Sequence, residues 1–150
     1  MGNKLKVFLG GTCNNSLWRD KLIKLLKIDY FNPVVDDWTE DCQKEEIKQR
    51  ELCDYCLYTI TPFMLGVYSI AEVIDDSNKR PDKTLFCILE NESSLPNGLA
   101  NPTNPTTSFT IGALKSLDSV GKMVLRNGGK YFKNLEEVAA FLNSQNMDKL

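Results

Sequence analysis

The chain has 150 residues and a net charge of −2, enough for one domain with its own core and no need of disulfides or metals. A protein gripping a nucleic-acid backbone needs a basic face, and no dense Lys/Arg run supplies one. Histidine is absent, which excludes Ser-His-Asp and Cys-His catalysis and leaves carboxylates, hydroxyls and backbone groups for any chemistry.

Met1 to Lys6 lead straight into a strand-like run, Lys4 to Leu9, with no secretory apolar core. Lys6 stands where a myristoylation motif requires Ser or Thr. No apolar stretch approaches the ~20 residues that span a bilayer, so a cytoplasmic protein without a membrane partner is expected. Gly10-Gly11-Thr12 form a turn, Asn15 and Ser16 can cap a helix, and Leu17, Trp18, Leu22, Ile23, Leu25 and Leu26 recur at helical spacing. Tyr30 to Val35 read as a second strand, or as a strand whose end Pro33 marks. Asp36 to Thr39 form a loop, and Thr39 or Asp41 can cap the charged helix from Glu40 to Cys53. Tyr55 to Ile60 are almost wholly apolar or aromatic, which suits a strand covered on both faces. Ser69 can cap a helix from Ile70 to about Asp76, and Lys83 to Leu89 are another buried strand.

Glu90 to Thr107, rich in Asn, Pro and Ser, is the least structured stretch. Phe109 to Leu125 suggest a short helix and a short strand; Asn127-Gly128-Gly129 make a turn and Lys130 to Phe132 a last strand. Asn134 caps an amphipathic helix bearing Leu135, Val138, Ala139 and Leu142. Alternating strands and helices predict a four- to five-stranded, mainly parallel sheet between helical layers, one α/β domain over 1–150. Ligands of such sheets bind outside the carboxyl ends of the strands. Gly10 to Asn15, Val35 to Thr39 and Thr61 to Glu72 lie there.

Five cysteines form an odd, scattered set and read as reduced thiols. Cys53 and Cys56 make one C-x-x-C, but a zinc site needs a second pair or histidines, so the pair reads as small buried residues and no metal is expected. Gly10-Gly11-Thr12 lets a backbone approach an anion or sugar hydroxyl, or is a plain turn. It is neither a Walker A loop nor a G-x-G-x-x-G fingerprint. Asp36-Asp37-Trp38 could hydrogen-bond and stack on a base, or be a solvated turn. In Gly66-Val67-Tyr68-Ser69-Ile70-Ala71-Glu72, Glu72 is either a carboxylate facing the sheet's mouth, able to attack a sugar carbon, or the partner of Ser69 in a capping box.

The FLGGT turn, the NP-x-V-x-DW segment and the CD-x-C-x-Y-x-I-TP…G-x-YSIAE segment resemble, in that order, the nucleoside 2-deoxyribosyltransferase-like family. The resemblance runs from Lys4 to about Leu89. It implies a flavodoxin-like, Rossmann-like three-layer sandwich and an enzyme that cleaves or transfers at the N-glycosidic bond of a nucleoside or nucleotide. Glu72 matches the family's nucleophile, forming a glycosyl ester as a retaining glycosidase does. The resemblance puts Gly11, Thr12 and Trp18 near sugar and base, Asp37 and Trp38 near the base, Ser69 near a 5′ hydroxyl or phosphate, and Gly66 in the same loop. Glu46 or Asp54 would bind or protonate the base. It implies no cofactor, and a homodimer or higher homo-oligomer. The sequence departs from the family at Phe8, where a tyrosine is usual, and at Tyr68 and Ile70, where small residues are. A non-catalytic nucleotide-binding or regulatory module, or an NAD-cleaving glycohydrolase, are the other readings of the same scaffold.

Overall fold

The computed structural model describes residues 4–13, 16–93 and 107–147. Five parallel strands form the main sheet: β1 (Lys6–Gly11), β2 (Asp29–Phe31), β3 (Tyr55–Ile60), β4 (Thr84–Ile88) and β7 (Lys130–Phe132). Their order is β2-β1-β3-β4-β7. This is the flavodoxin-like arrangement: the chain steps outward from β1 to β2, then returns to β3 on the other side of β1. The reversal opens a crevice at the carboxyl ends of β1 and β3.

Alternation along each strand divides the core into two layers. Val7, Leu9, Leu57, Leu85 and Cys87 face one side and pack with Trp18 and Leu22 of α1 (Trp18–Leu25) and with Leu135, Val138 and Leu142 of α5 (Leu135–Met147). Phe8, Cys56, Tyr58, Ile60, Phe86 and Ile88 face the other side. There they meet Val73 of α3 (Tyr68–Lys79) and Leu117 and Val124 of α4 (Ile111–Asn127). The fifth helix, α2 (Glu40–Leu52), belongs to this second layer but docks differently. Its only buried residue is Arg50, which pairs with Asp76 of α3 at 2.9 Å.

Several local expectations are corrected. β2 stops at Phe31 rather than Val35, because Pro33 has no N–H for a ladder and the Asn32 side chain takes the Val34 N–H at 3.1 Å. Ser16 is not a helix cap: Leu17 precedes α1, without a side-chain bond, and the Ser16 hydroxyl lies 2.5 Å from Glu92 Oε1. Asn15 lies outside the described residues, as does Asn14. The Ser69–Glu72 capping box does not form, since α3 begins at Tyr68 after Val67, which offers no cap bond.

The stretch Phe109 to Leu125 holds one 17-residue helix, α4, instead of a helix and a strand. Thr110 caps it, accepting from Ala113 N at 3.1 Å. Gly121 does not break it but fits it against Tyr131, whose ring would lie 2.4 Å from an added Cβ. Within the stretch expected to be least structured, β5 (Asn91–Glu92) pairs antiparallel with β6 (Thr107–Ser108); residues 94–106 lie outside the described set. The expected caps at Thr39 and Asn134 are present, accepting from Cys42 N at 3.3 Å and Glu137 N at 2.8 Å.

Candidate active site

The carboxyl ends of β1 and β2 and the upper turns of α2 and α3 enclose a cavity of about 540 Å³. That is ample for a small organic ligand, whose sites typically measure ~300–1,000 Å³. Its floor is Phe8, Gly10 and Gly11, with Cys13 and Arg19 beside them; one wall is Pro33 to Asp36 with Trp38; Glu46, Tyr68 and Glu72 complete it.

The floor is shaped by tight packing. Gly11 has φ +113°, and a Cβ on it would come within 2.1 Å of the Thr59 carbonyl oxygen, so only glycine lets β1 press against β3 there. The strand end is then clamped by Arg19. Its Nε donates to Leu9 O at 2.9 Å, Nη1 to Thr12 O at 2.6 Å and Nη2 to Gly11 O at 3.3 Å. The guanidinium stacks over the Trp18 ring at 4.5 Å. Arg19 is therefore a scaffold for the floor, with most of its donors already engaged, and burial lowers its pKa.

The walls carry the aromatic and ionisable side chains. Trp38 is 54% exposed and directs its Nε1–H toward Glu46 Oε2, 3.5 Å away, so an indole face and a carboxyl sit side by side. Burial raises the Glu46 pKa, while Trp38 and the Arg50 and Arg19 charges oppose the rise. Glu72 lies one turn into α3, its side chain 12% exposed. Burial pushes its pKa up to about 7, Arg50 pulls it down, and the neighbouring Glu46 and Asp76 charges add to the rise. Arg50 Nη1 stands 3.7 Å from Glu72 Oε2. The site thus offers two carboxyl groups, one from each helix, both held toward the protonated form by burial, with Glu72 titrating at about 7.

Of the residues singled out from sequence, Gly11, Trp38, Glu46 and Glu72 line this cavity. Others sit elsewhere. Thr12 is 4% exposed and ties the loops together, its N–H donating to Thr59 O at 2.8 Å and its Oγ1 accepting from Thr61 N at 2.9 Å. Trp18 is fully buried in the α1–α5 layer, its indole donating to Thr12 O at 2.8 Å. Asp37 is exposed beside the lining residue Asp36. Asp54 precedes β3 and accepts from Lys6 N at 2.9 Å, at the amino ends of the strands and so at the far edge of the sheet. Gly66 is in an open loop, where an added Cβ would meet nothing within 4 Å, and Ser69 is in the first turn of α3; neither lines the cavity.

Sequence reasoning missed Arg19 and Arg50. For Arg19 a faint signal was present, a cation beside the inward-facing Trp18 and Leu22 of α1; for Arg50 on the charged helix α2 there was none. The Cys53–Cys56 pair is buried, with Cys56 Sγ donating to Arg50 O at 3.2 Å. Burial pushes the Cys56 thiol up to about 12, which disfavours the thiolate.

No curated protein matches the chain. A family model described as "Nucleoside 2-deoxyribosyltransferase like" matches residues 4–81, just over half of the sequence. That span contains every residue lining the cavity, from Phe8 to Glu72. With the flavodoxin-like sheet order and the cavity at its switch point, the match means that this chain belongs to the nucleoside 2-deoxyribosyltransferase-like family.

Proposed function

We propose that the protein cleaves or transfers at the N-glycosidic bond of a nucleoside or nucleotide, with Glu72 as nucleophile. The observation that carries this reading is Glu72 in the wall of an open cavity, with Arg50 behind it and Glu46 across from it. The ionised Glu72 carboxylate attacks the anomeric carbon. The C–N bond breaks as the C–O ester bond forms, and the bonding pair leaves with the base. Glu46, whose pKa burial raises, delivers a proton to the departing base nitrogen, and Trp38 stacks on the base. Water or a second base then attacks the same carbon, the ester C–O bond breaks to restore the Glu72 carboxylate, and Glu46 takes back the proton that the attacking group loses.

The alternative of a binding module without turnover rests on Glu72 serving as a capping group in a closed pocket. The uncapped start of α3 and the cavity of about 540 Å³ weigh against it. The reading extends to a cytoplasmic homo-oligomer. Among the described residues no helix is long and apolar enough to cross a membrane, and Val34, Val35, Leu65 and Val67 are exposed on the loops around the cavity.

The test is incubation with nucleosides, nucleoside monophosphates and NAD, followed by chromatography for released base. Wild type is expected to release base from a nucleoside or nucleotide, and Glu72→Ala to lose at least about 10³-fold in kcat. Full activity in Glu72→Ala removes Glu72 from the mechanism. Release of nicotinamide alone moves the assignment to an NAD glycohydrolase.

A further inference from the structure

Glu46 and Arg50 stand one turn apart on α2, and Glu72 and Asp76 one turn apart on α3. The two helices therefore face each other through two polar levels. At the lower level Asp76 is completely buried and its carboxylate is saturated. Arg50 Nε donates to Oδ2 at 3.3 Å and Arg50 Nη2 to Oδ1 at 2.9 Å. Arg80 Nη2 donates to Oδ1 at 2.6 Å, and the Tyr58 hydroxyl donates to Oδ2. Arg50 Nη2 also reaches Asp75 Oδ2 at 3.1 Å.

Two features of this cluster go beyond what docking two helices requires. Arg80 already supplies a cation for Asp76, so the Arg50 charge is not needed to neutralise it. And the fork on Asp76 uses only the Nε–Nη2 edge of Arg50, leaving Nη1 directed at Glu72 Oε2, 3.7 Å away. A guanidinium held on one edge cannot follow a moving partner, so it acts as a fixed reference for the carboxylate beside it.

We infer that Arg50 is the positioning residue of Glu72: braced on Asp76, Tyr58 and Arg80, it presents Nη1 as a fixed counter-charge that keeps the Glu72 carboxylate ionised and in place in the cavity wall. Its catalytic consequence rests on Glu72 being the nucleophile; the electrostatic coupling does not. The groups that act on Glu72 are Arg50 and Glu46 from α2 and Asp76 from α3; Asp75, Tyr58 of β3 and Arg80 lie behind them on Arg50 and Asp76, and Cys13, Arg19 and Tyr68 also line the cavity. Burial and the acidic neighbours push Glu72 toward its neutral form, and Arg50 opposes them. Asp76 acts with both signs, repelling Glu72 directly while holding Arg50 in position.

The experiment is a ¹³C-carboxyl NMR titration of Glu72 in the full chain, its resonance assigned by its loss in Glu72→Gln. Arg50→Met is expected to raise the Glu72 midpoint by about one pH unit or more. A midpoint that stays within a few tenths of a unit in folded Arg50→Met overturns the inference, since a purely structural arginine alters melting but not this titration. If Arg50→Met does not fold, Arg50→Gln, which keeps hydrogen-bond donors for Asp76 but carries no charge, is titrated in its place: an upward shift of the same size supports the coupling, and a midpoint within a few tenths of a unit refutes it.

On any substrate that wild type cleaves, Arg50→Met is expected to lose on the order of 10–100-fold in kcat with KM within about twofold. The acid limb of its pH profile is expected to move alkaline by the same interval as the NMR midpoint. If wild type cleaves nothing, the glycosidic reading fails while the titration still decides the role of Arg50.

Discussion

At the scale of single residues, the site is made as much by what cannot change as by what reacts. Gly11 combines a φ of +113° with a Cβ position 2.1 Å from a backbone oxygen of β3. Both conditions exclude a side chain, and neither neighbour can yield, because the obstructing atom belongs to a central strand. Gly11→Ala is therefore expected to destabilise the fold by about 2–4 kcal/mol. Urea unfolding followed by circular dichroism checks this; a loss under about 1 kcal/mol would mean that β1 and β3 separate at that point without strain. The sequence made this glycine visible, since a Gly-Gly-Thr turn after a strand has few other uses. It did not reveal that Trp18 belongs to the core. An aromatic residue just after such a turn can point to the ligand or to the sheet, and the choice depends on the helix start, which the structure puts at Trp18 itself. Asp54 was more decidable. In a parallel sheet the residue before a strand lies at the end opposite the ligand, and that geometry outweighs its carboxylate.

At the scale of elements, the strands were the most legible part. β3 runs from Tyr55 to Ile60 as read from sequence, because a strand buried on both faces has no polar positions to blur its limits. β2 was overread because it lies at the sheet's edge, where its end is set by Pro33 and an Asn side chain rather than by hydrophobicity. Helix α4 was underread because Gly112 and Gly121 inside it look like breaks. Only the packing of Tyr131 against Gly121 explains why glycine is kept there. What anchors the start of α4 is its cap, so Thr110→Ala is expected to cost about 1 kcal/mol, read as a lowered denaturation midpoint. Ser or Asp at 110 should restore it; a Thr110→Ala protein as stable as wild type would show that α4 is held by packing alone. The pairing of α2 with α3 was the least legible relation of all. It rests on Arg50 and Asp76, two charged residues 26 positions apart, and nothing in a charged helix such as Glu40 to Leu52 distinguishes the one buried cation from the solvated ones.

At the scale of the whole molecule, the same buried charges set opposing demands on pH. Glu72 has a folded pKa near 7 against an ordinary value of 4.5. The fold holds its proton more tightly than the unfolded chain does, so this contribution to stability is full below about pH 4.5 and is lost as pH rises through about 7. Asp76 behaves in the opposite way. Burial alone would raise its pKa, but the hydrogen bonds from Arg50, Tyr58 and Arg80 outweigh burial and hold it below 3.8. Its contribution is present above that value and is lost as pH falls through the folded pKa. The two windows meet between about pH 4 and 5, where Asp76 is ionised and Glu72 still protonated, and there these two groups together contribute most to stability. A nucleophilic Glu72 must be ionised, so activity is expected to rise through about pH 7, where the stabilising contribution of Glu72 is being lost. Replacing Glu72 by Gln removes the charge that the fold resists. Glu72→Gln is therefore expected to be inactive yet more stable than wild type at pH 8, by on the order of 2 kcal/mol, and nearly equal to it at pH 4.5. Melting temperatures of both proteins across pH 4–9 measure this directly. Parallel curves for the two proteins would mean that Glu72 titrates as an ordinary exposed carboxylate, and with that the burial that distinguishes it from the other acidic residues around the cavity would be lost.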